Sequence, residues 1–266
     1  MDDLDTTQEE SQEQELSHSD KMIGVFTEPA NTFTKTALFP PKTVDWFLPV
    51  LILLVLVVLS RILVMGNEEI AYQAKQKMRE NIEKALAPGV SSGQMTQEQA
   101  DQVIETQVAQ ATGPTGIIIQ SVSIPIVGFI FFFIMSGIYF LFAKFVLKGD
   151  GGYSSAMVAN GLTAYIGMIQ IILTALLSLL MGKLLTDISV ASFMDSDRST
   201  ITGFILAKLD VISIWSYAVL GIGLAKMFKS DNVKKYIITI FAIWILGSLL
   251  FFVLAKYVPF LKSFGM

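Results

Sequence analysis

Between Ser154 and Met181 the chain carries no charged side chain. At about 1.5 Å per residue, a helix of that length exceeds the roughly 30 Å of a bilayer's hydrocarbon core. The stretch is not uniformly apolar. Ala156, Asn160, Thr163, Gly167, Gln170, Thr174 and Ser178 recur at steps of four and three, which puts them on one helical stripe. Facing lipid, that stripe would leave amide groups unpaired, so it must face other helices or water. One reading is a packing seam in which Asn160 and Gln170 hydrogen-bond to neighbouring spans. The other is a polar path for a solute or ion. Small and hydrogen-bonding residues are the usual glue between membrane helices, and an amide pair with no carboxylate or basic partner is weak support for a path. The seam is therefore the preferred reading, with Asn160 and Gln170 expected on nearly the same face.

The rest of the composition agrees with a membrane protein. The chain is 53% hydrophobic and 16% charged, with a mean hydropathy of +0.59. Soluble domains carry about a quarter charged residues. With no cysteine, disulfides, thiolate metal sites and cysteine nucleophiles are excluded. His18 is the only histidine and falls in a polar stretch, which removes histidine metal clusters and Ser-His catalysis from the apolar body. Residues 1–20 hold −8 with no lysine or arginine, which leaves +4 for the remainder of a chain whose total is −4. No basic patch interleaves with aromatics, so a nucleic-acid partner is not expected.

In chain order, residues 1–20 are too polar to bury surface and are expected to be a disordered acidic tail without a signal peptide. Residues 21–43 mix Met22, Phe26, Phe33 and Leu38 with Lys21, Lys35 and Lys42, interrupted by Pro29. This suits an interfacial juxtamembrane segment that ends at Pro40-Pro41. The first span is expected at about 44–65, anchored by Trp46, with Arg61 snorkelling from its far end. Residues 67–116 form a polar insert. Ile70, Ala74, Met78, Ile82 and Leu86 predict a helix over 68–86, stopped by Pro88-Gly89. Thr96 with Gln99 is a capping box that opens a second helix over 97–111.

The apolar run 117–147 is too long for one perpendicular span. Ser121, Ser123 and Pro125 predict a kink or break, with the span at about 124–146. Gly149-Asp150-Gly151-Gly152 lacks the Lys-Ser/Thr pair of a phosphate loop and reads as a turn. After the central span (154–181), the Asp195-Ser196-Asp197-Arg198 cluster lacks a calcium loop's glycine and closing glutamate and reads as a solvated turn. The last spans are expected at 209–227 and 235–257, with Lys208 and Asp210 interfacial. The fold class is thus an all-α integral membrane protein: a five-span helical bundle with a two-helix extramembrane insert between spans one and two.

Lys144 and Lys148 mark the second-to-third connection, and Lys226, Lys229, Lys234 and Lys235 the fourth-to-fifth. The positive-inside rule then places the N-terminus in the cytoplasm and the insert and C-terminus outside.

The string from Leu209 to Lys235 is the most distinctive. Asp210 can cap a helix, Trp215 follows one turn in, and Gly221, Gly223 and Ala225 offer a close-packing surface. This fourth-span pattern of an acidic residue, an Ile-Trp step and Gly-x-Gly-Leu resembles the Yip family, named for Ypt-interacting proteins, and especially its bacterial members. Gly24 to Phe33, GVFTEPANTF, is similar to the family's opening, and the likeness extends over about residues 22–257. Family members often carry a proline after a central-span tyrosine, whereas here Ile166-Gly167 follows Tyr165. The resemblance implies a bacterial inner-membrane protein without catalysis or cofactor. Its partners would be the lipid bilayer and either further copies of itself or other membrane proteins. Eukaryotic relatives bind Rab-type GTPases, but nothing in this sequence shows a GTPase surface, and that role is not carried over. The leading expectation is a membrane scaffold or adaptor; the alternative is a transporter or channel that uses the central stripe. An intramembrane enzyme is disfavoured, because the spans offer no secure carboxylate pair and no histidine.

Overall fold

The computed structural model describes residues 14–257, and every regular element among them is helical. The organising element is α7 (Tyr153–Met181), packed against α3 (Val44–Met65), α6 (Pro114–Leu141, continued by a π turn Phe142–Val146) and α10 (Val211–Met227). α11 (Val233–Tyr257) packs on α10. Burial explains why α7 tolerates polar residues. Ala156, Val158, Ala159, Leu162 and Ile166 are fully buried around much of its circumference, so the helix meets protein more than lipid. By contrast Ile130, Phe131, Leu246 and Leu250 on α6 and α11 are more than half exposed, as a lipid-facing surface requires.

Contacts fix the directions. Trp46 abuts Gly161, Leu53 abuts Gly167, and Val64 packs with Ala175, so α3 and α7 run parallel. Tyr217 stacks on Trp244 at 4.6 Å, Gly221 meets Ile237, and Phe204 meets Phe252, so α11 returns antiparallel to α10. The α6–α7 and α10–α11 connections meet at one end, where the Asp150 amide donates to the Phe228 carbonyl at 2.9 Å. The helical hairpin α4 (Glu68–Ser91) and α5 (Gln97–Thr112) sits at the other end. There the Gln73 side chain bonds the Gly182 carbonyl and the Leu184 amide beyond the end of α7.

Among the described residues, four helices are long and apolar enough to cross a membrane: α3, α6 with its π turn, α7 and α11. The fifth crossing differs from the expected single helix at 209–227. It is a bent pair, α9 (Ile201–Lys208) and α10, that turns by 63° at Leu209-Asp210 and counts as a fifth span only if taken together. The reason is local. Asp210 has extended backbone and caps α10 by accepting from the Ser213 amide, so the helix restarts there. Beyond the turn, α9 packs Phe204 against α11.

Other expectations change in detail. Of the acidic stretch 1–20, residues 1–13 lie outside the described residues, and 14–20 are not a free tail. Ser17 and Asp20 form a capping box that starts α1 (His18–Thr27). Pro29 at the first turn of α2 (Pro29–Thr36) divides the juxtamembrane segment into two helices. These do not merely lie in the headgroup layer. Val25 and Phe33 are fully buried, and the hairpin packs on α7 and α10.

Pro88 does not stop α4. It lacks one amide hydrogen in the last turns, and the helix ends only before Gly93, whose φ of 74° a side chain would oppose. Of the kink or break expected at Ser121–Pro125, there is no break: the helix from Pro114 to Val146 runs on through 33 residues, about 50 Å. Ser121 keeps its hydroxyl on the Ile117 carbonyl within the helix. The first turns of α6 instead pack on the insert. Gln120 donates to the Ala111 carbonyl and accepts from Arg61, which therefore pairs with protein as well as reaching outward.

Candidate functional site

A deeply buried polar cluster lies where α1 meets α3 and α7. Asp45, in the first turn of α3, is 1% exposed, and Lys21 of α1 is 2% exposed. Lys21 Nζ donates to Asp45 Oδ2 at 2.6 Å. His18 Nδ1 lies 3.0 Å from Asp45 Oδ1, and Nε2 lies 2.7 Å from Tyr165 Oη on α7. In the neutral imidazole, an Nδ1–H donating to the carboxylate leaves Nε2 to accept from the tyrosine hydroxyl, so every partner in the chain is satisfied. At the rim, Glu15 bridges Lys42 at 2.7 Å and Lys21 at 3.4 Å. The hydrogen bond from Lys42 is the main cause holding the Glu15 carboxyl below its ordinary value. Chemically, this arrangement clamps the N-terminal helix onto two membrane helices.

The sequence reading missed this cluster. It placed His18 in a solvated tail and Lys21 in the headgroups, and gave Asp45 no role. The available signal was an aspartate one residue inside an apolar span, which demands a partner.

The stripe residues of α7 have different partners. Asn160 Nδ2 donates to Ser136 Oγ on α6 at 3.0 Å. Gln170 Nε2 donates to Asp210 Oδ2 at 2.7 Å, and its carbonyl accepts from Ser213 Oγ at 3.4 Å, both at the start of α10. The expectation that the two amides share a face is corrected: ten residues at 100° leave them about 80° apart, at opposite edges of the stripe. Thr163 bonds back to the Ala159 carbonyl, Ser178 accepts from the Leu185 amide, and Ala156 is fully buried. Thr174 is half-buried. A Cβ on Gly167 would sit 3.7 Å from Leu53, an ordinary contact, whereas one on Gly161 would collide with the Trp46 backbone. The close approach is at Gly161.

Asp210 is 2% exposed, and it is the carboxylate partner the Gln170 amide lacked in the sequence alone. Trp215 packs on Phe26 of α1 with ring centres 5.9 Å apart. Gly221 and Gly223 serve different neighbours. Added Cβ atoms would come 2.7 Å from Ile237 Cα on α11 and 2.8 Å from the Phe33 ring on α2.

The segment expected to be a solvated turn holds a second ion network. Arg198 clasps Asp187 with two 2.8 Å bonds, and the Ser189 and Ser192 hydroxyls each donate at 2.6 Å. Burial pushes the Asp187 carboxyl up, but the guanidinium and hydroxyl donors outweigh it and hold it well below the carboxylate range. Lys183 pairs with Asp195 at 2.6 Å. Among the described residues no group of histidine, aspartate and glutamate is placed to hold a metal ion.

Comparisons with curated proteins and with solved structures give no match. A family model does match: the Yip1 domain, over residues 23–254. That range begins within α1 and takes in α2, Asp45, the whole of α7 and the Asp210–Gly223 run, so the chain belongs to the Yip1-domain family of membrane proteins.

Proposed function

We propose that this Yip-family protein is a non-enzymatic scaffold or adaptor of the bacterial inner membrane, with its N-terminus in the cytoplasm and its α4–α5 hairpin outside. The observation that carries the reading is the pairing of the polar groups of α7. Asn160, Tyr165 and Gln170 bond to α6, α1 and α10, so the polarity at the centre of the bundle joins helices. A protein built this way presents surfaces rather than a passage: the exposed hairpin at one end and the α1–α2 hairpin near the other. Purification with the surrounding lipid intact, followed by identification of co-purified membrane proteins, tests it. Specific partners lost when the α4–α5 hairpin is replaced by a short linker would support the scaffold.

One observation favours a transporter as a second reading. A buried carboxylate, Asp210, sits at the break of a bent span, the kind of place where transporters hold ions. That reading requires flux in liposomes that disappears in Asp210→Asn at unchanged melting temperature. Such a result would displace the scaffold.

A further inference from the structure

The two lysine-rich connections are separated by about eighty residues in sequence but form one surface. The Asp150–Phe228 backbone bond ties them, and Gly149 and Gly151 bring the first loop so close that a Cβ on either would come within 2.7 or 2.8 Å of the Phe228 side chain. Lys144 and Lys148 thereby join Lys226, Lys229, Lys234 and Lys235 at one end of the bundle. Asp150 and Asp231 are the acidic residues of these connections. Lys148, Lys229, Lys234 and Lys235 are exposed.

Two of these lysines occupy costly positions. Lys148 and Lys229 each follow a helix end with φ of 57° and 54°, in the left-handed region. At Lys229 the Ser230 amide reaches back to the Ala225 carbonyl and the Lys229 amide to the Lys226 carbonyl, the helix-ending motif in which glycine is usual. A side chain there is strained relative to glycine. Glycine would relieve that strain; lysine keeps the charge. Strain of this kind, held by the surrounding structure, points to a use for the side chain.

Beside the charges runs an apolar collar. Leu141, Phe142, Phe145 and Val146 are exposed at the π turn that carries Lys144, with Phe145 at 67%. A free phosphate would need only the lysines. A ligand that uses both features is charged at one end and apolar at the other.

We propose that this junction binds an anionic phospholipid, its phosphate headgroup on Lys148, Lys229, Lys234 and Lys235 and its acyl chain along Phe142, Phe145 and Val146. The site selects negatively charged lipids of the leaflet in which this end of the bundle stands, and anchors the α6–α7 and α10–α11 connections to that leaflet.

The full chain, delipidated in detergent, would be titrated with phosphatidylglycerol or phosphatidylcholine, reading melting temperature and the lipid retained in native mass spectrometry. Phosphatidylglycerol is expected to be retained preferentially and to raise the melting temperature more. The Lys148→Gly/Lys229→Gly variant relieves strain, so it should fold at least as stably in phosphatidylcholine. It should lose about fivefold of the retention ratio per lysine removed, the weight of one lysine near an anionic surface. Lys234→Gln/Lys235→Gln should lose a similar factor. Equal retention of the two lipids would overturn the proposal, as would unchanged preference in both variants. So would stabilisation by inorganic phosphate alone equal to that by phosphatidylglycerol, which would mean an anion site without lipid selectivity.

Discussion

Gly161 and Gly167 lie six residues apart on α7, yet only Gly161 stands where another backbone, that of Trp46, leaves no room. Gly161→Ala should lower the detergent melting temperature, with an overpacking cost of about 1–3 kcal/mol, while Gly167→Ala should be nearly neutral. The amides separate in the same way. Asn160→Leu leaves a Ser136 hydroxyl that can turn to its own helix, and should cost about 0.6 kcal/mol, the average for membrane hydrogen bonds. Gln170→Leu strips a donor from the buried Asp210 carboxylate and should cost more, about 1–3 kcal/mol. Lys21→Met leaves Asp45 without its ammonium partner in a buried site, a change worth about 3–5 kcal/mol. Adding Asp45→Leu should recover part of that loss. A double variant as unstable as the sum of the singles would mean the two side chains act independently.

At the scale of elements, the α1–α2 hairpin, α4–α5 and the 182–200 connection are each held by a few identifiable groups. Ala100 and Ile104 of α5 are buried, Ile70 of α4 packs with Val64 and Ala175, and the two helices carry side-chain caps at Asn67 and Thr96. Their amides should exchange slowly over 71–87 and 100–111, and quickly at 93–95. Uniformly fast exchange would reduce the hairpin to a linker. The connection depends on Asp187, whose folded carboxyl lies below its unfolded value. Its contribution is therefore complete above the unfolded pKa of about 4 and is lost as pH falls further, through the depressed folded value. Protection of 187–198 should hold from pH 8 to pH 5 and decline below about 4. In Asp187→Asn the connection should be looser at neutral pH, with that acid dependence gone.

Across the whole molecule, the helix directions put the two lysine-rich connections at one end and the insert at the other. Cysteines introduced at Ser230 and Ser92 should therefore label from opposite sides of the membrane, and the proposed orientation makes Ser230 the cytoplasmic one. Labelling of both from one side would rule out an odd number of crossings between them. The same directions matter for the bent pair. If α9–α10 did not cross, α11 would have to start on the insert's side, where its contacts with α10 through Gly221 and Ile237 do not place it.

Apolar runs and capping boxes are local chemistry, so several of the helices could be read along the chain. Val44–Met65, Tyr153–Met181 and the Thr96–Gln99 cap needed no neighbour to be recognised. Which partners their side chains find is not local. Neither His18 nor Asp45 identifies the other across twenty-seven residues, and Tyr165 lies far from both in sequence. Packing α1 against α3 and α7 brought them together, because a buried aspartate is stable only where donors converge. Likewise nothing local pairs Asp210 with Gln170, forty residues earlier, which it meets at the 63° bend. The sequence alone determined that this chain fills a membrane with helices, since each apolar run meets that requirement by itself. Only the tertiary structure decided which helices touch, because hydrogen bonds and close glycine contacts depend on residues that chain order keeps apart.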